Sequence, residues 1–193
     1  MINFGNFLHL DPEAAGLARK LVEANDEQRS TFSSFAHVWM AFNGWMECVT
    51  EAETDSAMIN AIAEQVKMVA AYNQLLAEAP EFRSVVVEFA KMFPILNVRD
   101  VRKKVGRDAF YRYGRDALFK KVTLARVKHQ PVGWTSGTVP SWPQVLRAVY
   151  LVRCNLFHGA KSAENFRDHQ LVGFCDSILR MFIERTKCFE WSD

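Results

Sequence analysis

The sequence has no C-x-x-C pair, no glycine-rich phosphate loop and no long apolar run, and each absence removes a class of function. Its four cysteines, Cys48, Cys154, Cys175 and Cys188, lie far apart. They form neither a disulfide framework nor a zinc-ligand spacing, and they suit a reducing cytoplasm. Neither G-x-x-x-x-G-K-[ST] nor G-x-G-x-x-G occurs, so a nucleotide site built on such a loop is not expected. The opening segment, MINFGNFLHLDPEAAGLARK, lacks the basic start and apolar stretch of a signal peptide. No apolar run approaches the roughly 20 residues of a membrane helix. A soluble cytoplasmic protein is expected, with no membrane partner, no metal and no cofactor.

What is present is apolar bulk and unevenly placed charge. About half of the 193 residues are apolar, including 15 Phe and 5 Trp, enough for one sizeable core, and a single domain over residues 1–193 is expected. The net charge is only +2. Residues 99–128, however, hold eleven Lys and Arg against three Asp, which leaves +8 there and −6 over the rest. Such asymmetry points to a polyanionic partner.

The apolar pattern is helical almost throughout. From Asp26 to Val49 the stripe Phe32, Phe35, Trp39, Phe42, Met46, Val49 recurs at helical spacing. Asp55 can cap a second helix running to Ala79, with the stripe Ile59, Ile62, Val66, Val69, Leu76. Pro80 suits the first turn of a third helix that ends near Pro94. Strands are hard to place. A basic insertion follows, at about 95–141, with a near-repeat: GRDAFYRY, then GRDALFKK. It ends in the Pro- and Gly-rich segment HQPVGWTSGTVPSWPQ, read as a loop with Trp134 and Trp142 as anchors. Ser141 and Gln144 have capping-box spacing for a fourth long helix to about Phe157, and a final helix runs from about Ser162 to Lys187. The expected fold class is all-α: a helical bundle of about five main helices, with the basic insertion between the third and fourth.

The fourth helix carries an oddly placed charge. With about 100° per residue, its stripe Val145, Val149, Val152, Leu156 spans about 60°, and Arg153 falls about 40° beyond Val149. A charge beside an apolar seam is costly unless it is paired or faces a polar cleft, although its stem can also snorkel to water. His158 on a continued helix would lie about 140° from Arg153. Gly159 is a natural helix terminator that lets the backbone re-aim the imidazole. The histidine can equally serve the terminal carbonyls and the negative end of the dipole. Cys154 and His158, four apart, could also be read as a thiolate dyad or as metal ligands, but no third group stands at a motif spacing. His9, His37, His129 and His169 have no partner at a recognisable spacing and read as structural or surface residues.

RCNLFHGAKS, running from such a helix into a final amphipathic one, resembles the R-x4-6-H signature of the HEPN superfamily. A weaker likeness covers most of the chain, from the aromatic-rich helix with AFNGW to the motif helix. The resemblance implies a metal-independent endoribonuclease that cleaves RNA by 2′-OH attack, often in toxin–antitoxin or phage-defence settings, with an antitoxin or other defence protein as a further partner. By position it makes Arg153 and His158 the catalytic pair. Members often carry a polar residue, commonly Asn, directly after the arginine. Cys154 holds that place here, which passes the helper role to Asn155. It also implies a homodimer with a composite site. The chemistry suits the residues: imidazole exchanges protons near neutral pH, and guanidinium offers a fixed charge and a fork to phosphate oxygens.

In the basic stretch Phe110, Tyr111, Tyr113 and Phe119 interleave with the cations, as single-stranded RNA requires for stacking and backbone contact. Arg112, Arg115, Lys120 and Lys121 are the candidate RNA contacts, joined by Lys161 after the motif. The same pattern also fits a solvated helical face whose aromatics turn inward. The rival function is a non-catalytic helical module that binds RNA, a nucleotide or a protein through this patch.

Overall fold

Long apolar stripes at helical spacing need a partner surface, and here they cover one another. The computed structural model describes residues 2–9, 12–24, 30–157 and 166–192. Its helices are α1 (Asn6–His9), α2 (Pro12–Glu23), α3 (Thr31–Thr50), α4 (Asp55–Ala63), α5 (Val66–Glu78), α6 (Pro80–Ala90), α7 (Val98–Lys104), α8 (Ala109–Arg112), α9 (Arg115–Leu124), α10 (Trp142–Phe157) and α11 (Phe166–Thr186). Two short strands, β1 (Ile95–Leu96) and β2 (His129–Gln130), flank α7–α9. The described chain is predominantly helical, as expected. No described helix is long and apolar enough to cross a membrane.

The centre is α3, buried along Phe35, Val38, Trp39, Phe42, Trp45, Met46 and Val49, with α2 and α11 against it. Helix α2 answers to no expectation from the sequence; it is a short amphipathic helix laid across α3. The start of α10 is fixed by Trp142, which stacks on Phe182 at 4.4 Å between ring centroids and donates its indole N–H to the Ile62 carbonyl at 3.3 Å. Each such fully buried large side chain contributes about 1.5–3 kcal/mol of burial. Ser141 N–H donates to Gln144 Oε1 at 3.0 Å, one half of the expected capping box.

The single helix expected over Asp55–Ala79 is two. Gln65 breaks it by accepting the Met68 and Lys67 N–H groups with its side chain, so that α5 starts afresh. The break rotates the stripe. Val66, expected inside, is 80 % exposed, while Met68, Tyr72 and Leu75 turn inward. Tyr72 Oη then donates to the Pro140 carbonyl at 2.8 Å and ties down the end of the Pro- and Gly-rich loop. In that loop Trp134 packs edge-on against Phe93 and donates to Thr138 O, the anchoring role expected of it.

The basic insertion is a small lobe with its own core: Val101, Ala109, Val122 and Val127. Its neck is the antiparallel pair β1–β2, Ile95 against Gln130 and Leu96 against His129. The near-repeat does not give a repeated structure. Gly106 takes φ +122°, closed to side chains, and turns the first copy into a four-residue helix. Gly114, in extended backbone, instead opens the ten-residue α9.

Candidate active site

Thr54 decides the geometry of the site. Its hydroxyl accepts the Ala57 N–H at 3.2 Å and takes the cap of α4, the role expected of Asp55. Asp55 becomes the first helical residue, and its Oδ2 receives Arg153 Nη1 at 2.9 Å. The guanidinium also lies over the Trp39 ring, 5.5 Å from its centroid. Tyr150, one turn before Arg153, stacks on the same Trp39 ring at 6.0 Å between centroids. Three elements, α3, α4 and α10, thus hold one cation whose side chain remains 26 % exposed. A cation over an indole face gains about 0.5–2 kcal/mol, more as water is excluded. This charge beside the seam is paired and still reaches the surface.

The rest of the stripe on α10 is consumed by the molecule's own core. Val145, Val149 and Val152 are completely buried, and only Leu156 of the four is left half-buried. Burial, and after it the neighbouring Cys154 thiol, push the Tyr150 hydroxyl up to about 12. It therefore keeps its proton at neutral pH. Cys154 itself is half-buried beside it. Trp39 leaves its indole N–H buried without a hydrogen-bond partner among the described residues.

Asn155, expected in the helper role, lies apart from this cluster. It points about 200° around the helix from Arg153, and both ends of its amide are committed elsewhere. Oδ1 accepts the Val98 N–H at 3.1 Å and Nδ2 donates to the Leu96 carbonyl at 2.9 Å. The residue bolts α10 to the junction of β1 and α7, the neck of the basic lobe. His158, Gly159 and Lys161 lie outside the described residues. Of the other histidines, His169 meets Thr31 Oγ1 at 3.3 Å and His129 Nδ1 meets the Val127 carbonyl at 3.3 Å.

The four described candidates for RNA contact are all exposed on the lobe. Arg112 and Lys121 flank the Tyr113 ring at 5.8 and 4.7 Å, and Arg115 lies 6.0 Å from the Phe119 ring centroid. The aromatics divide: Tyr113 and Phe119 turn toward the lobe core, whereas Phe110 and Tyr111 face solvent. Burial and then the charge of Arg115 lower the pKa of Arg167, whose guanidinium donates to the Met92 carbonyl at 3.0 Å. Asp55 and Trp39 gave no sign in the sequence of belonging with Arg153, since nothing local connects positions on different helices. Tyr150 did, by its spacing of three. Neither a family model, nor a curated protein, nor a solved structure matches the chain.

Proposed function

We propose that the chain is a metal-independent endoribonuclease acting on single-stranded or loop RNA through Arg153 and His158. The observation that carries the reading is Arg153 itself: a guanidinium fixed by Asp55 and Trp39, still open to the surface, five residues before a histidine. Cleavage without metal requires the 2′-OH to lose a proton, the phosphorane to be stabilised and the 5′-oxygen to gain a proton. A preset guanidinium meets the second need without reorganising, as an oxyanion-hole donor does. Imidazole serves the proton transfers. The cation-rich lobe supports an RNA substrate over a neutral one. The resemblance to HEPN proteins adds a toxin or phage-defence setting, with toxicity on expression as a second readout.

The rival, a non-catalytic helical module, has one observation in its favour: Asp55 already neutralises Arg153. Labelled RNA incubated with purified protein in excess EDTA separates the two. The proposed enzyme leaves a 2′,3′-cyclic phosphate and a 5′-OH. Arg153→Ala and His158→Ala each abolish that product while keeping the helical circular dichroism spectrum. An absolute need for added Mg²⁺ or Zn²⁺ would overturn the mechanism.

A further inference from the structure

Helix α7 sorts its side chains onto three faces. Val98 and Val101 are buried. Asp100 and Lys104 are spent on closing the lobe: Asp100 Oδ2 accepts the Lys128 N–H at 2.7 Å and Lys104 Nζ at 2.9 Å, and Lys104 also reaches the Arg126 carbonyl at 2.7 Å. Arg99, Arg102 and Lys103, at spacings of three and four, share the remaining face. After the Gly106 turn, Arg107 lines the same cleft. The result is a cavity of about 640 Å³ lined, among the described residues, by these four cations. Among the described residues none of the four has an ion pair or a hydrogen bond through its side chain. The other nearby acid, Asp108, leans toward Arg112 at 3.8 Å.

Four like charges converging on one concavity repel one another, and a ligand of opposite sign relieves that repulsion. The next residues select among polyanions. Tyr111 and Phe110, which follow Arg107 in the chain, are 94 % and 40 % exposed. Exposed rings three and four residues along the chain from a cleft cation suit a strand whose bases are unpaired, because stacking needs a bare base face.

We propose that the Arg99–Arg102–Lys103–Arg107 cleft binds the phosphate backbone of single-stranded RNA, with Tyr111 stacking on a base. It is a second anchoring site, apart from Arg153 and from the α9 cations. That this RNA is a substrate rests on the ribonuclease reading; the binding itself does not.

The test uses the full chain and a single-stranded RNA oligonucleotide that is 2′-O-methylated, so that 2′-OH attack cannot occur. Affinity is measured across a salt series for the parent protein and for the combined Arg99→Gln, Arg102→Gln, Lys103→Gln, Arg107→Gln variant. Loss of four phosphate contacts reduces the slope of log affinity against log salt by about 3. Tyr111→Ala weakens binding about fivefold or more with the slope unchanged. If the fourfold variant melts early, Arg102→Gln with Lys103→Gln takes its place, and half that change in slope is expected. An unchanged slope in a folded variant overturns the site. So does full competition by inorganic tripolyphosphate together with no effect of Tyr111→Ala, which would mark a free-phosphate site. Tighter binding of duplex than of single strand overturns the assignment to unpaired RNA. These outcomes are separate from cleavage. A parent that binds as described but never cuts unmodified RNA leaves this site standing and removes the ribonuclease reading. A fourfold variant that cuts with unchanged KM does the reverse.

Discussion

Arg153 Nη1 stands 2.9 Å from Asp55 Oδ2, joining the last turns of α10 to the first residue of α4. Both side chains are about a quarter exposed, between the solvated pairs that contribute little and the buried ones that are costly to break. Asp55→Asn keeps the size and loses the charge. The expected cost in stability is about 1 kcal/mol, or about 2–4 °C in melting temperature for a chain of this length. If the carboxylate orients a catalytic guanidinium, kcat also falls by at least about tenfold, the equivalent of about 1.4 kcal/mol in the barrier. A melting shift with no change in kcat would mean that Asp55 serves the fold alone.

Asn155 gives the opposite pattern. Asn155→Ala leaves the Leu96 carbonyl and the Val98 N–H without their partner in a buried seam. At about 1–2 kcal/mol for each abandoned group, stability falls by about 2–4 kcal/mol and the melting temperature by roughly 5–15 °C. Cleavage per folded molecule, measured well below the new melting point, stays within about twofold, because the residue faces away from Arg153. Loss of cleavage with an unchanged melting temperature would restore Asn155 to the catalytic group.

Which features the sequence made visible follows from whether their cause is local. The stripe on α3, the proline at the start of α6 and the Ser141–Gln144 cap are written within one or two turns of chain, and each lies where its pattern puts it, although α6 ends at Ala90, a turn short of Pro94. The break at Gln65 is different. An exposed amide that caps the next helix looks like any other polar residue until the stripe is seen to rotate past Val66. Strands β1 and β2 have two residues each and hold because the lobe must close, so no alternation could reveal them. At the site, Arg153 stood out as a charge misplaced on its own helix. Its partners did not, because Trp39 reads as core and Asp55 as a cap. The place of Asn155 was hidden for the same reason: its spacing from Arg153 is local, and its hydrogen bonds to Val98 and Leu96 are not.

Acid should open the basic lobe before the bundle. The backbone N–H of Lys128, and then the Lys104 ammonium, lower the pKa of Asp100 from its ordinary value. A carboxylate with a depressed folded pKa stabilises fully above its unfolded pKa, near about 3.9, and that contribution is lost as pH falls through the lower folded value. Protection of the Val101 and Val127 amides against hydrogen exchange should therefore fall below about pH 4, while the α3 amides stay protected. Asp100→Asn should lower the lobe's protection at neutral pH and remove the acid step. An acid step that persists in the variant would assign it to another group.

The last prediction concerns assembly. One imidazole cannot be base and acid in the same step, so the proposed reaction asks for two, and the simplest source is His158 from two subunits. A two-fold axis near the end of α10 brings the same patch from each copy together. On that helix Val145, Val149 and Val152 are already buried within one chain, so the contact cannot be the whole stripe. Leu156, half-buried and one turn beyond Val152, is the described member of the stripe still able to contribute, beside Phe157. Arg153 would then line the edge of the joint cleft. Size-exclusion chromatography with light scattering should give a homodimer, and Leu156→Asp should shift it toward monomer and lower activity with it. Mixing Arg153→Ala with His158→Ala subunits tests the division of labour. If one arginine and one histidine supplied in trans suffice, the mixed dimer keeps one intact site and regains cleavage that neither parent shows. If each subunit works alone, or all four groups are needed, mixing restores nothing. A fully active monomer at assay concentration would refute the composite site and require a group other than a second His158 for one of the two proton transfers.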